Sequence, residues 1–435
     1  MNNDMLRTGL LSSCFLIMAA ASAQYFPPDP AGLEGVIVEK YYVADANDAA
    51  DTDGGSIAEG ATVYRVYVDM LDGYKLQTVG GFMNHPLTFN TTTVFFYNED
   101  RGEAWSDDIN DIYLDNNTVA LDSWLAMGAA SDAHWGVLKK DDNDGSIIGG
   151  SNNDGGSNGV PGGLLVNHVP TMGKALTTAD GLFLAGSAPG SPVNLGDAPT
   201  IFNEPNGSTY SSQDFAYGVL ATSGTESPFP GNRVLIGQFT TDGDFSFCLN
   251  LYVKIPTALV CPSIDCHTEL IFYGTLLEAD TAGIAISGDN KFTHPTLCFN
   301  SATAVFDCEG IAGGAALAGT PCDDGNPDTE DDVWNAQCQC AGDQTGMEEA
   351  AIGIGMQVMP NPAEDALRVS LEGLNGEQVS YSLKDATGRT VKQAELGTLN
   401  GEWRGVVDMA ELRSGVYLLE LRVDDAVRTE RVVRK

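Results

Sequence analysis

Hydrophobic and polar positions alternate with a period of two residues along two segments of the chain. The first, Asp244–Ile255, keeps this period for eleven residues and follows a Thr-Asp-Gly-Asp turn. The second, Thr62–Met70, places Arg65 on one face and Val66 and Val68 on the other. Because successive side chains of a strand point to opposite faces of a sheet, both segments are predicted to be strands that contribute one face to a core.

Shorter runs of the same kind occur along the rest of the chain, separated by turns rich in Gly, Asn and Asp. No stretch of ten or more residues before residue 347 has a convincing 3.6-residue apolar period. We therefore predict a mainly β fold, with an antiparallel β-sandwich region as its largest part. The further strands are predicted at Thr88–Tyr97, Leu182–Ala185, Arg233–Phe239, Glu269–Leu277, Leu367–Leu371, Val379–Lys384, Val391–Ala394, Val416–Val423 and Ala426–Val433.

Length and charge divide the chain into domains. Its 435 residues exceed the size at which single cores stop growing. Residues 24–346 hold 10 basic and 44 acidic residues, whereas residues 347–435 hold 11 and 15. The acidic balance argues against nucleic acid as a partner. The domains are predicted as a signal peptide at 1–23, a β-sandwich region of one or two units at 24–304, a Cys-rich acidic module at 305–342, a linker at 343–355 and a C-terminal domain at 356–435.

The N-terminus has the pattern of a secretory signal peptide. Arg7 supplies a positive charge, Leu10–Ala20 is apolar, and small residues precede a cleavage site predicted between Ala23 and Gln24. The apolar run is too short for a spanning helix, which needs about 20 residues. We predict an exported chain with no transmembrane span.

Eight of the nine cysteines remain after removal of the signal peptide, and an even number in an exported protein indicates disulfides. We suppose that they pair within two groups of four, although eight cysteines allow 105 connectivities. The first group is Cys248, Cys261, Cys266 and Cys298, and the second is Cys308, Cys322, Cys338 and Cys340.

The second cysteine group encloses an acidic turn around Gly325 with several hard oxygen ligands, which is the donor type that Ca²⁺ prefers. The spacing does not fit a twelve-residue EF-hand loop, and a solvated acidic turn is the alternative. Other acidic clusters, at Asp45–Asp53, Asp107–Asp115 and Asp141–Asp144, have turn chemistry as their default role. The candidate calcium ligands are Asp323, Asp324, Asn326, Asp328 and Asp331.

Several short motifs follow one another near the C-terminus: a Pro-Asn-Pro turn, an Asp-Ala-Thr-Gly-Arg hairpin, a Ser-Gly-Val-Tyr strand start and a basic terminal strand. In this order they resemble the type A C-terminal sorting domain of type IX secretion cargo. The resemblance implies an immunoglobulin-like β-sandwich, export across both membranes to the cell surface or extracellular space, and the secretion machinery as partner. The Cys-Asp-Asp-Gly module is also similar to modules of such cargo. The motif residues are Pro360, Asn361, Pro362, Gly388, Gly415 and Tyr417.

We find no catalytic motif in the sequence and assign no catalytic residues. Gly155–Gly159 matches a nucleophile elbow by letters alone, and His267 lacks the second His of a metalloprotease helix. Aromatic residues interleaved with Asp between Tyr97 and Trp135 could bind a glycan, although a buried strand around Trp124 is the stronger interpretation.

These observations favour a non-enzymatic adhesin or surface structural protein, stabilised by calcium and with a surface glycan or polysaccharide as a second partner. The alternative is a secreted β-sandwich hydrolase that acts on polysaccharide through a carboxylate pair.

Overall fold

The computed structural model describes residues 30–116, 118–153, 162–187, 189–219, 224–256, 259, 268–281, 290–344, 355–424 and 426–435. The chain forms two compact units. The first comprises the described residues up to Thr320 together with Trp334–Gln339, and the second comprises Pro321–Val333 together with Cys340–Lys435.

The first unit consists of short strands joined by turns and single helical turns. Its described strands are β1 Leu33–Val43, β2 Thr62–Met70, β3 Lys75–Gly80, β4 Leu87–Thr91, β5 Trp124–Leu125, β6 Trp135–Gly136, β7 Leu182–Phe183, β8 Val193–Leu195, β9 Thr209–Ser212, β10 Ala216–Gly218, β11 Arg233–Thr241, β12 Phe245–Cys248, β13 Leu251–Lys254, β14 Glu269–Phe272, β15 Lys291–Phe292 and β16 Cys298–Asn300. Two short α-helices are α1 Ala46–Ala50 and α2 Glu278–Thr281. The 3-10 turns are Pro30–Gly32, Ser106–Asp108, Asp111–Tyr113, Val119–Leu121, Gly150–Asn153, Pro170–Met172, Thr200–Phe202 and Pro295–Leu297.

These strands form several sheets. The central sheet has the order β1-β2-β11-β5, a six-stranded sheet has the order β15-β14-β13-β3-β10-β8, and a four-stranded sheet has the order β16-β12-β4-β9. Strands β6 and β7 form a separate ribbon. β14 pairs with β15 in parallel, while the central sheet and the β6–β7 ribbon are antiparallel. The predicted mainly β, antiparallel fold is therefore confirmed.

The central sheet is buried on both faces. Val66 and Val68 of β2 belong to one apolar core, which they share with residues of the other two large sheets. Val63 and Tyr67 belong to a second core, which contains Trp124 and side chains from the irregular segments after β5. The alternation in Thr62–Met70 assigns these side chains to the correct two faces, but the prediction that only one face contributes to a core is wrong, because the irregular segments cover the other face.

The predicted strand Asp244–Ile255 is in fact two strands in different sheets, β12 and β13. The break occurs at Asn250, which is 2% exposed. Its side-chain amide donates to Gly80 O (2.9 Å) and His85 O (3.0 Å), and its Oδ1 accepts from Gly274 N (3.0 Å). The alternation continues through this switch because both strands face the same core, so the sequence pattern did not reveal it.

A row of polar side chains crosses the second face of the central sheet. Arg65 of β2 lies directly opposite Glu39 of β1 and Gln238 of β11. Arg65 is 2% exposed and the other two are 0% exposed. A buried charge destabilises a fold unless it is paired and hydrogen-bonded, so this row requires partners from outside the sheet.

The irregular segments that cover this face supply those partners. Arg65 Nε donates to Gln238 Oε1 (2.9 Å), and Arg65 Nη1 donates to the carbonyl oxygens of Asp180 and Gly181 (both 3.2 Å). Its guanidinium also lies 3.6 Å from the centroid of the Tyr41 ring. Tyr67 Oη donates to Val137 O (2.9 Å). The guanidinium thus attaches the segment around residue 180 to the sheet.

Lys139 is a second buried cation on the same face. Its backbone N–H donates to Glu39 Oε1 (2.9 Å) and its Nζ donates to Tyr41 O (2.6 Å). Burial lowers the pKa of Lys139 to about 8, although the carboxylate of Glu39 opposes this change. Burial raises the pKa of Glu39, and the charges of Lys139 and Arg65 oppose the rise.

Two buried carboxylates organise the loops beside this row. Asp142 Oδ2 accepts from the backbone N–H of Asp180 (2.9 Å) and Gly181 (2.8 Å). Asp180 Oδ2 accepts from Ile147 N (2.7 Å) and Ile148 N (3.2 Å). Burial raises the pKa of Asp180 to about 6 despite these bonds. Carboxylates therefore replace regular strand pairing in this layer.

The remaining described strands are β17 Thr329–Trp334, β18 Cys340–Gln344, β19 Gly355–Met359, β20 Ala366–Asp385, β21 Thr390–Asp408, β22 Gly415–Val423 and β23 Ala426–Arg434. β19, β20, β22 and β23 are neighbours in one sheet, and β21 pairs with β20. This sheet encloses an apolar core that includes Leu367, Leu383 and Leu419.

The two strands predicted at Leu367–Leu371 and Val379–Lys384 are one strand, β20. Its register shifts between Glu372 and Leu374 and again between Asn375 and Glu377. Gly373 and Gly376 have φ values of 90° and 108°, which glycine adopts readily. These irregularities resemble a turn in the sequence, although pairing with β21 continues through them.

We expect Arg65→Met to lower the free energy of unfolding by about 3 kcal/mol or more, because it removes a buried charge from a hydrogen-bonded network and leaves the buried Gln238 Oε1 without its donor. The carbonyl oxygens of Asp180 and Gly181 each lose one donor but keep Tyr41 Oη and Val137 N, respectively. Lys140→Met is the matched control, since its ion pair with Glu309 is about one-third exposed on both sides and should contribute less than about 1 kcal/mol. Chemical unfolding with intact disulfides measures both. Equal losses in the two variants would contradict the role assigned to Arg65.

Candidate functional site

The Pro-Asn-Pro turn holds the last strand of the chain. Asn361 Nδ2 donates to Arg431 O (2.7 Å), and Asn361 Oδ1 accepts from Val433 N (3.0 Å). The backbone continues this pairing, with Ala363 N donating to Val433 O (2.8 Å). One amide side chain thus takes the place of a strand residue at the outer edge of β23. The flanking Pro360 and Pro362 have no backbone N–H to compete for these acceptors.

The other motif residues of the second unit lie at the ends of strands. Gly388 has a φ of 81° in the hairpin between β20 and β21, where its N–H donates to Asp385 O (2.9 Å). Bonds from the Thr387 hydroxyl, from backbone amides and from Arg389 lower the pKa of Asp385 to about 2. Gly415 begins β22, and Tyr417 Oη donates to Arg413 O (2.8 Å). These residues fix the turns that define the strand order.

The described cysteines form three disulfides. Cys248 pairs with Cys298, which joins neighbouring strands β12 and β16. Cys308 pairs with Cys338 and Cys322 pairs with Cys340, closing loops with sequence separations of 30 and 18. Each bond joins two cysteines of the same predicted group of four. Such cross-links stabilise a segment with little core by restricting its unfolded state.

The acidic turn of the cysteine module is built from side chains that accept backbone amides two residues ahead. Asp323 Oδ1 accepts from Gly325 N (2.8 Å), Asp324 Oδ1 from Asn326 N (2.8 Å), and Asn326 Oδ1 from Asp328 N (3.1 Å). These Asx turns direct the chain into β17.

Three carboxylates converge beside this turn. One oxygen each of Asp323, Asp324 and Asp332 lies within 4.8 Å of the others, and this is the one such group of acidic, His or Cys side chains in the described part of the chain. Asp332 Oδ2 also accepts from Asp324 N (3.1 Å). Of the five predicted ligands, two belong to this group.

Asp332 is not among the predicted ligands. The predicted ligand next to it, Asp331, has a φ of 57° and does not belong to the group. Within the described residues, Asp332 Oδ1 is buried and has no hydrogen-bond partner. A Cβ at Gly342 would collide with this same oxygen, so only glycine leaves it room. No local sequence pattern separates Asp331 from Asp332, because the positive φ of Asp331 interrupts the alternation of β17.

The other acidic clusters are turn-forming, as their default interpretation requires. Asp45 caps α1 and forms a reciprocal capping box with Asp48. Asn110 Oδ1 accepts from Ile112 N (3.1 Å), which caps the turn at Asp111. Asp142 binds backbone amides as described above.

Asp142 and Asp144 form a close pair of carboxyl groups in the third of these clusters. Burial, and a hydrogen bond to Asp142, raise the pKa of Asp144 to about 6. Because Asp142 already accepts two backbone N–H groups, its carboxylate is fixed in place as a loop-organising group.

The aromatic residues between Tyr97 and Trp135 are mostly packed against other side chains. Trp124 is 2% exposed within the second core. Trp105 packs edge-to-face on Tyr217, with ring centroids 5.6 Å apart, and Arg101 lies over the Tyr113 ring at 4.1 Å. These rings offer little free face for a sugar.

Several predicted features lie outside the described residues. They are the signal peptide with its cleavage site at Ala23 and Gln24, the Gly155–Gly159 segment, Cys261, Cys266, His267 and most of the linker.

We expect Asn361→Ala to lower the protection of the Val433 amide against hydrogen exchange by about tenfold, because the variant loses hydrogen bonds that contribute about 0.5–1.5 kcal/mol each. Asn361→Asp keeps the acceptor for Val433 and should leave that amide better protected than alanine does. Asn375→Ala, which removes an exposed local bond to Gly373, is the control. Unchanged protection in Asn361→Ala would contradict the role of this side chain.

None of the helices in the described residues is long and apolar enough to span a membrane.

Comparisons with known proteins locate one family in the chain. Residues 357–435 match the secretion system C-terminal sorting domain. No curated protein is similar to the chain.

Two solved structures share only a weak likeness with the chain. Dimeric latent PorU from Porphyromonas gingivalis is 12% identical with a TM-score of 0.17, and the match covers 48% of this chain and 14% of that one. The BSP domain of a biofilm associated protein is 10% identical with a TM-score of 0.15, and the match covers 96% of this chain and 84% of that one.

The family match includes Asn361 and the two residues of β23 to which it bonds, Arg431 and Val433. It also includes the hairpin at Gly388 and the strand start at Gly415. A sorting domain of this kind directs export to the cell surface or extracellular space, and it implies an interaction with the secretion machinery. The second unit carries a type IX C-terminal sorting domain, and the chain is cargo of that secretion system.

Proposed function

We propose that this cargo is a non-enzymatic adhesin or surface structural protein whose cysteine module binds calcium. The sorting domain sets its destination, and the first unit is the part that acts there.

The observation that carries this proposal is how the first unit uses its buried acids. Asp122 accepts from Asn98 N (2.8 Å) and Glu103 N (2.9 Å), and Asp48 accepts from Leu165 N (3.0 Å) and Asp45 N (2.8 Å). Burial raises the pKa of both carboxyl groups. Such carboxylates act as fixed joints of the loops, which suits a rigid scaffold with a large acidic surface.

Calcium at the module is supported by electrostatics. One carboxylate oxygen each of Asp323, Asp324 and Asp332 lies within 4.8 Å of the others. Water screens their repulsion to about 1 kcal/mol per pair, and a cation between them would turn it into attraction. Ca²⁺ takes oxygen ligands in flexible geometry, and the buried Asp332 Oδ1 supplies a free acceptor. The Cys322–Cys340 disulfide joins the residue before Asp323 to the first residue of β18, which pairs with the strand that carries Asp332.

A surface glycan or polysaccharide is the ligand class that we propose for the adhesive role. The hydrolase alternative requires two carboxyl groups about 5–9.5 Å apart, and Asp144 and Asp142, which hydrogen-bond each other, do not provide that spacing. Release of new reducing ends from a polysaccharide would favour that alternative over binding.

We expect millimolar Ca²⁺ to raise the thermal unfolding temperature of the full chain relative to chelator, since an ion at a hundred times its Kd adds about 2.7 kcal/mol. Asp332→Asn should remove most of this rise, because it neutralises the least exposed of the three carboxylates. Calorimetric titration with Ca²⁺ alone gives the binding constant directly.

Asp328→Asn is the matched control, with the same change of charge in the same loop. Its carboxylate is outside the three-residue group, so the calcium effect should persist. No calcium effect on the parent chain, or an equal loss in both variants, would contradict the site.

A further inference from the structure

Two adjoining cavities in the first unit share the residue Ser227 and together form one cleft. The larger, of about 490 Å³, is lined by Lys75, Trp135 and Glu226 among others. The smaller, of about 250 Å³, is lined by Phe183, Phe229 and Arg233 among others. The larger cavity has the size of a small-molecule site, about 300–1,000 Å³, and the smaller cavity lies just below that range. We refer to the two together as the Ser227 cleft.

Aromatic rings form much of its apolar lining. Trp135 of β6 and Phe183 of β7 are direct cross-strand partners, so both side chains stand on the same face of this ribbon. Trp135 lines the larger cavity and Phe183 the smaller. Phe229 packs edge-to-face on Phe183, with centroids 4.8 Å apart. The cleft thus has an apolar, ring-lined surface that runs from one cavity into the next.

The opposite wall is held rigidly at both ends. Thr225 exchanges two backbone hydrogen bonds with Leu76, of 2.7 and 2.8 Å. Asn232, 2% exposed, donates to Leu71 O (2.9 Å) and Tyr74 O (2.8 Å) and accepts from Ser227 N (3.1 Å). A wall fixed in this way needs little ordering when a ligand binds, which favours affinity.

The charged groups of the cleft are already paired. Lys75 Nζ lies 3.0 Å from Glu226 Oε2, and Arg233 Nη1 lies 2.7 Å from Asp141 Oδ2. Arg233 also forms an ion pair with Asp69, with 3.5 Å between Nε and Oδ2. The local balance is therefore neutral to acidic, which disfavours an anionic ligand.

We propose that the Ser227 cleft binds an uncharged oligosaccharide, with its sugar rings against Phe183 and Phe229. Its hydroxyl groups would bond to the carboxylates of Glu226 and Asp141 and to the polar side chains of Asn143 and Ser227. Sugar rings have apolar faces and hydroxyl edges, and this lining offers aromatic surface beside donors and acceptors of both kinds. The inference rests on the proposed adhesive function, whose ligand class it names and locates. Trp135 is the one residue that the cleft shares with the aromatic stretch between Tyr97 and Trp135.

Isothermal titration of the full chain with neutral hexasaccharides of glucose, mannose and N-acetylglucosamine tests it, with hexagalacturonate as the acidic comparison. We expect binding of at least one neutral probe. Phe229→Leu keeps the apolar volume but removes the ring, and together with Phe183→Ala should weaken binding tenfold or more. Leu184→Ala removes an apolar side chain that is 63% exposed and does not line either cavity, and should bind as the parent does.

The thermal unfolding temperature of each variant shows whether it folds. If Phe183→Ala does not fold, the affinity of Phe229→Leu for the neutral probes is the test. No binding of any neutral probe, a preference for hexagalacturonate, or equal affinity in parent and Phe229→Leu would overturn the cleft. Shortened products in the same incubations would instead overturn the non-enzymatic function while leaving the cleft as the sugar site.

Discussion

The guanidinium of Arg65 is the interaction on which the first unit depends. It lies on a face of the central sheet that is closed to solvent, where a cation with unmatched donors would be strongly destabilising. Gln238 satisfies one donor from within the sheet, but the carbonyls of Asp180 and Gly181 come from a distant loop. The covering layer has little regular structure of its own, and these bonds define where it attaches.

This attachment also positions the proposed sugar cleft. Arg65 binds Gly181 O, one residue before β7, and Tyr67 binds Val137 O, one residue after β6. The short β6–β7 ribbon is therefore held to the central sheet at both strands. Trp135 and Phe183 belong to that ribbon. The hydrogen bonds of Arg65 and Tyr67 to the ribbon therefore determine where the two rings line the cleft. A scaffold with a rigid surface results, although β6 and β7 have only two residues each.

Sequence alone predicted the β class, the two faces of Thr62–Met70 and the motifs of the sorting domain, because each depends on local periodicity or on turn residues. It could not show that Arg65 is buried by a loop 115 residues away, since nothing local distinguishes it from a solvated strand arginine. It also could not separate Asp331 from Asp332, because one residue with positive φ decides which carboxylate faces the acidic turn. Long-range contacts and single backbone angles account for both failures.

The account holds that the irregular layer and the central sheet form one cooperative structure. Native-state hydrogen exchange of the full chain tests this most directly, since it gives the opening free energy of each segment. The amides of Val137 and Gly181, which bond to Gly181 O and the Asp142 carboxylate, should open only with those of β2, at the same free energy. Exchange of these two amides through a separate opening of much lower free energy would contradict the account.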